Sequence, residues 1–446
     1  MNATSGVTLE SAIAKARTRL LPFLVLMYIL AFIDRANVGF AKNVLQADTG
    51  LSDAAFAFGA GIFFIGYAVF EVPSNLLMYR LGARVWMSRI MVTWGLVSAC
   101  TALVHDASSF YALRVLLGIA EAGFFPGIIL FLSSWFPANT RSQTMGVFYF
   151  GFPLAMLFGS PVSGVLLDIS NPFGLHPWQW LFVVEGIAAS AVGVIAFFYL
   201  TDRPADARWL DTPQRDALVA ALRVEDEHKR AHGPASVLAA LRDPRVLFLS
   251  LIYFAVQMSV YGVVFYLPTR IAGLTGGHVG TKVGLLTAIP WIAAIVGTFI
   301  VTRTADRHGH HRNWAAAMLT LAALGIAASA VTSSVVLAIA AFCVAAIGFV
   351  AVQPFFWTLP TGYLGGAAAA GGIALINSIG NLGGFVAPNL KAFAERLVGS
   401  PQAGMLSLAV VGLIGAALLQ WFKSTSPETV RLPQESTASL GKRPSH

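Results

Sequence analysis

Residues 20–41 have the sequence LLPFLVLMYILAFIDRANVGFA, a long apolar run that holds two adjacent charged residues, Asp34 and Arg35. A helix needs about 20 predominantly apolar residues to cross the hydrocarbon core of a bilayer, and this run is long enough. It lacks the small-residue cleavage site that ends a signal peptide. The run therefore predicts a membrane-spanning helix with an acid and a base at membrane depth.

The composition extends this interpretation to the whole chain. Of the 446 residues, 57% are apolar and 11% are charged, whereas an ordinary soluble domain has roughly 25% charged residues. This small number of charges cannot cover the surface of a soluble chain of this length. Most of the surface must therefore face lipid. The net charge of +8 is scattered between apolar runs, which argues against nucleic acid as a partner. Two cysteines, Cys100 and Cys343, lie in apolar runs and rule out a disulfide scaffold.

The apolar runs predict an all-α membrane protein with twelve transmembrane helices in two pseudo-symmetric six-helix bundles. We expect an N-terminal bundle in residues 1–200, a cytoplasmic linker with a short amphipathic helix in 201–244, a C-terminal bundle in 245–424 and a disordered cytoplasmic tail in 425–446. The predicted spans are 20–41, 54–78, 86–104, 109–133, 141–167, 177–200, 245–270, 280–303, 314–331, 334–360, 366–394 and 402–423.

The distribution of Lys and Arg predicts the orientation. Lys15, Arg17 and Arg19 precede the first span, and further basic residues follow the second, fourth and eighth spans, whereas the alternate loops are poorer in them. Because basic loops stay on the cytoplasmic side, we expect both termini and the linker to be cytoplasmic.

An internal repeat supports the division into two halves. Residues 75–84, NLLMYRLGAR, follow the second span, and residues 302–312, TRTADRHGHHR, follow the eighth, with the shared Arg-x-Gly 227 positions apart (309 minus 82). Such repeats are typical of secondary transporters. The repeat resembles the loop motif G-x-x-x-D-R-x-G-R-R of the major facilitator superfamily. The second copy keeps Asp306, Arg307 and Gly309, which the resemblance marks as a gating loop, whereas the first has Tyr79 in place of the Asp.

Charged residues at membrane depth are concentrated in the N-terminal half. Each costs about 2.5–3.5 kcal/mol there, so each needs a partner or a function. Besides Asp34 and Arg35, the fourth span holds Arg114 and Glu121, whereas residues 313–390 contain no Asp, Glu, Lys or Arg.

The helical rise predicts that these groups meet. At 1.5 Å per residue, Asp34 and Arg114 come to the same depth, and Glu121 lies two turns beyond Arg114 on nearly the same face. Tyr67 in the second span reaches the level of Glu121. We therefore expect Asp34, Arg35, Tyr67, Arg114 and Glu121 to line one cavity.

Two interpretations of the charges remain open. Asp34 and Arg114 could form a structural ion pair between the first and fourth spans, but that pair leaves Arg35 and Glu121 unexplained. Alternatively, a buried carboxyl without a permanent partner suits a proton carrier, and a buried guanidinium can hold a carboxylate substrate with two hydrogen bonds.

Other ionisable side chains are given structural roles. We expect Glu71 to reach towards the cytoplasmic surface and Asp168 and Glu185 to lie at the membrane interface. The cluster His308, His310 and His311 lies in a basic loop, so we predict no metal site.

The C-terminal half offers uncharged polar side chains. Gln353 and Asn377 are equally compatible with contacts to substrate hydroxyls and with hydrogen bonds between helices. The latter role is favoured for the remaining polar side chains at membrane depth, which are Gln257, Tyr261, Trp357, Ser378 and Asn381.

Longer strings narrow the resemblance. Residues 34–41, DRANVGFA, resemble the D-R-x-N-x-x-x-A signature of the anion:cation symporter family, and residues 114–126, RVLLGIAEAGFFP, resemble its R-x-x-x-G-x-x-E-x-x-x-x-P fourth helix. Residues 353–360, QPFFWTLP, and 372–384, GIALINSIGNLGG, are similar to the branch with sugar-acid and hydroxy-acid permeases. Phe152 departs from the galactonate branch, which has a polar residue there.

The resemblance implies a bacterial inner-membrane protein that moves organic anions with protons. It implies that Asp34 and Glu121 carry protons, that Arg35 and Arg114 bind the anion or pair with these acids, and that Tyr67 and Asn377 contact substrate. With Gln353, these residues form the expected substrate and proton sites.

The leading hypothesis is a proton symporter that imports a small carboxylate, such as a tartrate-like or rhamnonate-like acid, by alternating access. An antiporter or exporter of another small solute on the same fold is the alternative. An enzyme is disfavoured because no nucleophile or metal motif lies at membrane depth, and a sensor because the 44-residue linker is too short for a folded domain. We expect no cofactor, and a monomer whose partners are the carboxylate, protons and lipid.

Overall fold

The computed structural model describes residues 3–169, 174–232, 242–308, 311–363 and 366–422, and all its regular elements are helical. Short 3-10 turns at Thr101–Leu103 and Pro204–Asp206 accompany sixteen α-helices. These are α1 (Ala3–Thr49), α2 (Asp53–Leu81), α3 (Ala83–Cys100), α4 (Ala107–Glu121), α5 (Phe124–Trp135), α6 (Ala138–Tyr149), α7 (Gly151–Leu167), α8 (Pro177–Tyr199), α9 (Thr212–His232), α10 (Pro244–Thr275), α11 (Thr281–His308), α12 (His311–Val331), α13 (Val335–Tyr363), α14 (Gly366–Asn381), α15 (Gly383–Val398) and α16 (Pro401–Trp421).

The prediction of twelve spans is confirmed. Ten helical segments of the described chain are long and apolar enough to cross a bilayer. The third span is α3, whose 18 residues include Arg84 and Arg89 and are less apolar. The eleventh is divided into α14 and α15, which have 16 residues each and are too short singly.

The fourth span is also divided, directly after Glu121. Ala122 adopts ψ of 132°, and Gly123 has φ of +86°, a left-handed conformation that side chains disfavour. A Cβ at Gly123 would lie 2.4 Å from Ser74 Oγ, and this hydroxyl donates a 2.6 Å hydrogen bond to the Ala122 carbonyl. Ser74 thus satisfies a buried backbone acceptor that the break leaves without a helical donor, and this hydrogen bond stabilises the break.

Helix α1 begins at Ala3, well before the predicted start of the first span at residue 20. Its first turns pack against the linker helix α9. Gln214 donates a 3.0 Å hydrogen bond to Ser11, and Lys15 lies 3.7 Å from Asp211. Two polar residues of this stretch, Ser11 and Lys15, therefore bind the linker.

The two halves approach most closely at the end opposite the chain termini. A Cβ on Gly164 of α7 would lie 2.7 Å from the carbonyl oxygen of Gly280, and one on Gly39 of α1 would lie 2.7 Å from that of Phe265. Backbones this close require glycine. At the same end, Asp168 accepts hydrogen bonds from the backbone N–H of Thr281 at 2.6 Å and from His278 at 2.7 Å. This end of the molecule is closed.

Part of the predicted gating loop lies outside the described residues. Gly309 and the tail at 425–446 are not described, and Asp306 and Arg307 are described only as backbone at the end of α11. The predicted bundle boundaries and the membrane orientation stay predictions.

Candidate functional site

A cavity of about 580 Å³ lies between the two halves. It extends from the middle of the molecule towards the end with the termini, where Tyr149 and Phe150 are 36% and 39% exposed. Its walls are rich in aromatic side chains and also carry polar groups from both halves, a combination that suits a small-molecule site. The polar and ionisable side chains on its surface include Arg35, Tyr67, Glu121, Gln257, Tyr261, Thr298, Gln353, Asn377 and Asn381.

Arg35 is the cation of this cavity and lies between the halves. It forms an ion pair and hydrogen bond with Glu121, and its Nη1 donates to the Tyr261 hydroxyl of α10 at 3.1 Å. Its Cζ lies 5.1 Å from the ring centroid of Phe32 and 5.4 Å from that of Tyr67, distances at which aromatic faces attract a cation. Arg35 is therefore oriented by both halves, and Tyr67 lies beside it as predicted.

Glu121 lies at the last residue of α4, where the fourth span breaks. Its Oε1 bonds to Arg35, whereas Oε2 is buried and has no hydrogen-bond partner among the described residues. One oxygen of the acid is thus occupied by the guanidinium, and the other is available to a proton or a ligand.

Asp34 and Arg114, predicted to line the cavity, lie behind it, each 1% exposed. Asp34 accepts hydrogen bonds from Trp94 at 3.1 Å, from Asn37 at 3.2 Å and from Ser98. The physical reason is helical geometry: adjacent residues point about 100° apart, so Asp34 faces α3 when Arg35 faces the cavity.

The alternative of a direct Asp34–Arg114 ion pair is not what the structure shows. Arg114 donates instead to the backbone carbonyls of Gly59 at 3.3 Å and Ala60 at 3.1 Å. It packs under Phe63, whose ring centroid lies 5.0 Å from its Cζ. Arg114 therefore joins α4 to α2 and does not line the cavity.

The C-terminal wall carries a chain of side-chain amides. Tyr253 donates to Gln353 Oε1 at 3.2 Å, Gln353 donates to Gln257 Oε1 at 3.3 Å, and Gln257 donates to Asn381 Oδ1 at 3.2 Å. All four line the cavity. Gln257 and Asn381 form the predicted hydrogen bond between helices, from α10 to α14, and they also lie on the cavity wall, which the sequence did not indicate.

The expectation that Glu71 reaches the membrane surface was wrong. It is 4% exposed and accepts hydrogen bonds from two residues of α14, Asn377 at 3.3 Å and Ser378 at 2.8 Å. Glu71 therefore links α2 of the N-terminal half to α14 of the C-terminal half. It also binds the side-chain amide of Asn377, which is a predicted substrate contact.

Asp168 and Glu185, both predicted to lie at the membrane interface, lie in different environments. Asp168 lies at the surface, where the hydrogen bonds from Thr281 and His278 lower its pKa to about 2. Glu185, by contrast, is 5% exposed inside the N-terminal half, so its predicted interfacial position was wrong. Helix α8 is apolar on all sides, so its sequence does not indicate which face is buried.

Twelve spans in two halves, a central cavity lined from both halves and close contact at one end define a membrane transporter rather than an enzyme. The sequence model of the Major Facilitator Superfamily matches residues 24–388. The chain belongs to this superfamily, as its loop motif indicated.

Relatives that are similar over nearly the whole chain are also named as transport proteins. The chain is 47% identical over 415 residues to the inner membrane transport protein RhmT of Escherichia coli strain K12, covering 93% of this chain and 96% of the relative. It is 42% identical over 423 residues to a protein of Agrobacterium vitis named for tartrate transport, covering 95% and 94%.

Solved structures show the same fold at low identity. The inward open conformation of the xylose transporter XylE from E. coli superposes with a TM-score of 0.72 at 15% identity, over 93% of this chain and 97% of that one.

Proposed function

We propose that the protein imports a small carboxylate, a sugar acid or hydroxy acid, across the bacterial inner membrane together with protons. The observation that carries this proposal is the placement of Arg35 on the cavity surface, held by Glu121 and Tyr261 from opposite halves. A guanidinium can bind a carboxylate with two parallel hydrogen bonds. A neutral cargo would give no reason to maintain this charge at membrane depth.

The opposite wall suits the rest of such a substrate. Gln353, Gln257 and Asn381 offer amide donors and acceptors on the C-terminal side of the same cavity, and these match hydroxyl groups. The relative of Agrobacterium vitis that is named for tartrate transport supports a hydroxy acid.

Proton coupling is proposed for Glu121. When Arg35 is engaged by a substrate carboxylate, Glu121 loses its cationic partner and is then stabilised by binding a proton. Substrate and proton would therefore enter together, which is symport. With the termini in the cytoplasm, as the basic loops favour, the structure corresponds to a state closed to the outside.

The test is uptake of labelled tartrate and aldonic acids into proteoliposomes with an inward proton gradient. We expect accumulation that an uncoupler abolishes, competition among the carboxylates and no competition from the corresponding neutral sugars. Accumulation that continues after the gradient has fully collapsed, at low external substrate, would contradict symport.

Export of a larger aromatic acid is the second candidate. The chain is 42% identical over 400 residues to a quinolone resistance transporter of Acinetobacter baumannii, and the cavity walls are rich in aromatic side chains. Inverted vesicles separate the two directions. An exporter would accumulate fluorescent quinolone in them, whereas the proposed importer would leave quinolone distribution unchanged.

We also propose that the monomer is the working unit, because one chain encloses its own cavity from both halves. Light scattering of the purified protein with its detergent contribution subtracted tests this.

A further inference from the structure

Glu185 of α8 is a buried carboxyl that the proposed transport cycle does not use. It is 5% exposed and does not line the cavity. It lies eight residues from the start of α8 at Pro177, about 12 Å along the helix from the closed end. An ionised carboxylate at this depth costs about 2.5–3.5 kcal/mol on the more lenient scale, so its position requires an explanation.

The neighbouring charges do not neutralise it. Within the described N-terminal half, four carboxyls are buried, Asp34, Glu71, Glu121 and Glu185, against two guanidiniums, Arg35 and Arg114. Arg35 pairs with Glu121, and Arg114 bonds to backbone carbonyls.

The elements packed around Glu185 supply no cation near it. On α1 the interacting charge is Asp34, which is itself acidic. On α3 the charged residues Arg84 and Arg89 lie at the end next to the termini, and α7 has no charged residue before Asp168.

The number of hydrogen-bond donors around each carboxyl distinguishes Asp34 from Glu185. Asp34 accepts from Trp94, Asn37 and Ser98, a set that suits an ionised carboxylate. Glu185 accepts a well-formed hydrogen bond on Oε1 from Ser163 at 2.8 Å, with the Asn37 side chain as its second polar neighbour, and its Oε2 is buried without a partner in the described chain.

The acceptor beside it also lacks a donor. The amide of Asn37 donates to Asp34 at 3.2 Å and lies next to Glu185, and its Oδ1 is buried with no donor among the residues described. Glu185 Oε2 and Asn37 Oδ1 are thus both acceptors without a donor. A proton on Glu185 Oε2 makes that oxygen a donor, and buried polar groups are rarely left unsatisfied.

We propose that Glu185 is a proton-binding site, occupied in this state and separate from the substrate cavity. It forms a unit with Asp34 through Asn37 in which one proton is held on Glu185 Oε2 and Asp34 is ionised. The proton reaches it from the closed end: Ser163, its donor, is next to Gly164, whose backbone contact with Gly280 closes that end. When the halves separate there, water can approach Glu185 along α7.

Infrared spectroscopy of the purified protein in lipid, without substrate, tests the site directly. We expect the C=O stretching band of a protonated carboxyl at neutral pH, sensitive to exchange into D₂O. The band should disappear in Glu185→Gln and persist in the matched control Glu10→Gln, which alters an exposed acid on α1. A band that is unchanged in Glu185→Gln would overturn the proposal.

Ser163→Ala covers the case in which Glu185→Gln fails to fold. It keeps the carboxyl and removes its hydrogen bond, so the same band should move to higher frequency. An unmoved band in Ser163→Ala would equally overturn the proposal.

Replacing choline by sodium at fixed pH and ionic strength should leave the band intact, and its loss would assign the site to a metal cation instead. Because no substrate is present, these results are independent of whether the proposed carboxylate is transported.

Discussion

Arg35 shows how one side chain can be specified by the groups around it. Its guanidinium is held by Glu121 on one side and by Tyr261 on the other, under the faces of Phe32 and Tyr67. A planar fork fits this setting, whereas an ammonium group offers a point charge and cannot bond to two oxygens in one plane.

Arg35→Lys should therefore weaken carboxylate binding by about tenfold or more, since a hydrogen bond to a charged group contributes about 1.5–3 kcal/mol. The measurement is substrate affinity from ligand-dependent thermal shifts. Arg89→Lys, which conserves charge at a half-buried position near Trp86, is the control and should bind normally. Near-normal affinity in Arg35→Lys would reassign Arg35 to structure.

Glu121→Gln should separate coupling from binding. The amide keeps the size and hydrogen-bonding capacity of the acid but cannot carry a proton, so gradient-driven accumulation should fail while counterflow of substrate persists. Counterflow in reconstituted proteoliposomes checks this.

The contrary outcome for Glu121→Gln is well defined. If the pair with Arg35 is purely structural, removing one buried partner costs about 3–5 kcal/mol. Counterflow would then be lost together with a marked fall in thermal stability.

At the scale of elements, the contact between α7 and α11 closes one end of the molecule. Gly164 meets the backbone of Gly280, and a Cβ at Gly284 would lie 2.4 Å from the Ser160 carbonyl oxygen. Larger side chains at these positions would hold the two helices apart.

Gly164→Leu should trap the protein open at this end and lower net uptake by about tenfold or more, because overpacking a close contact costs about 1–3 kcal/mol. The measurement is initial uptake rate at matched expression. Gly273→Leu is the control, since a Cβ there meets nothing within 4 Å, and it should transport normally. Equal loss in both variants would show that the effect is not specific to the contact.

At the scale of the molecule, Asp168 links the halves across the closed end. The hydrogen bonds that it accepts, first from Thr281 and then from His278, lower its pKa to about 2. A depressed pKa means that Asp168 stabilises the closed state fully above its ordinary value near 3.9 and loses this effect as the pH falls towards about 2. Asp168 therefore stays charged, and its contact persists, at any pH that a cell would encounter.

Asp168→Asn should raise the population that is open at this end, because the amide accepts fewer and weaker hydrogen bonds than the carboxylate. The measurement is alkylation of Ser160→Cys, a reporter buried in the closed contact, in a background with Cys100 and Cys343 replaced by Ala. We expect faster labelling in Asp168→Asn than in the parent at pH 7, and the same ratio of the two rates at pH 5, where both rates fall together because less of the thiol is ionised. Equal labelling rates in the two proteins would contradict the assigned role.

Much of this architecture follows from the sequence alone. The twelve spans and their grouping in two sixes are local properties, because a run of apolar residues must be about as long as the bilayer is thick. The charges in the first and fourth spans were recognisable for a similar reason, since an ionisable group inside such a run is costly wherever it points.

The partners of those charges were decided only by the tertiary structure. Which neighbour a side chain meets depends on the rotation of its helix about the axis and on where the helix breaks, and both are set by packing between distant segments. The 100° between Asp34 and Arg35 sends one to α3 and the other to the cavity, and the break at Gly123 leaves Glu121 beside Arg35. For the same reason, Glu71 met the opposite half and Glu185 was buried, because an apolar sequence does not record which of its faces will be covered.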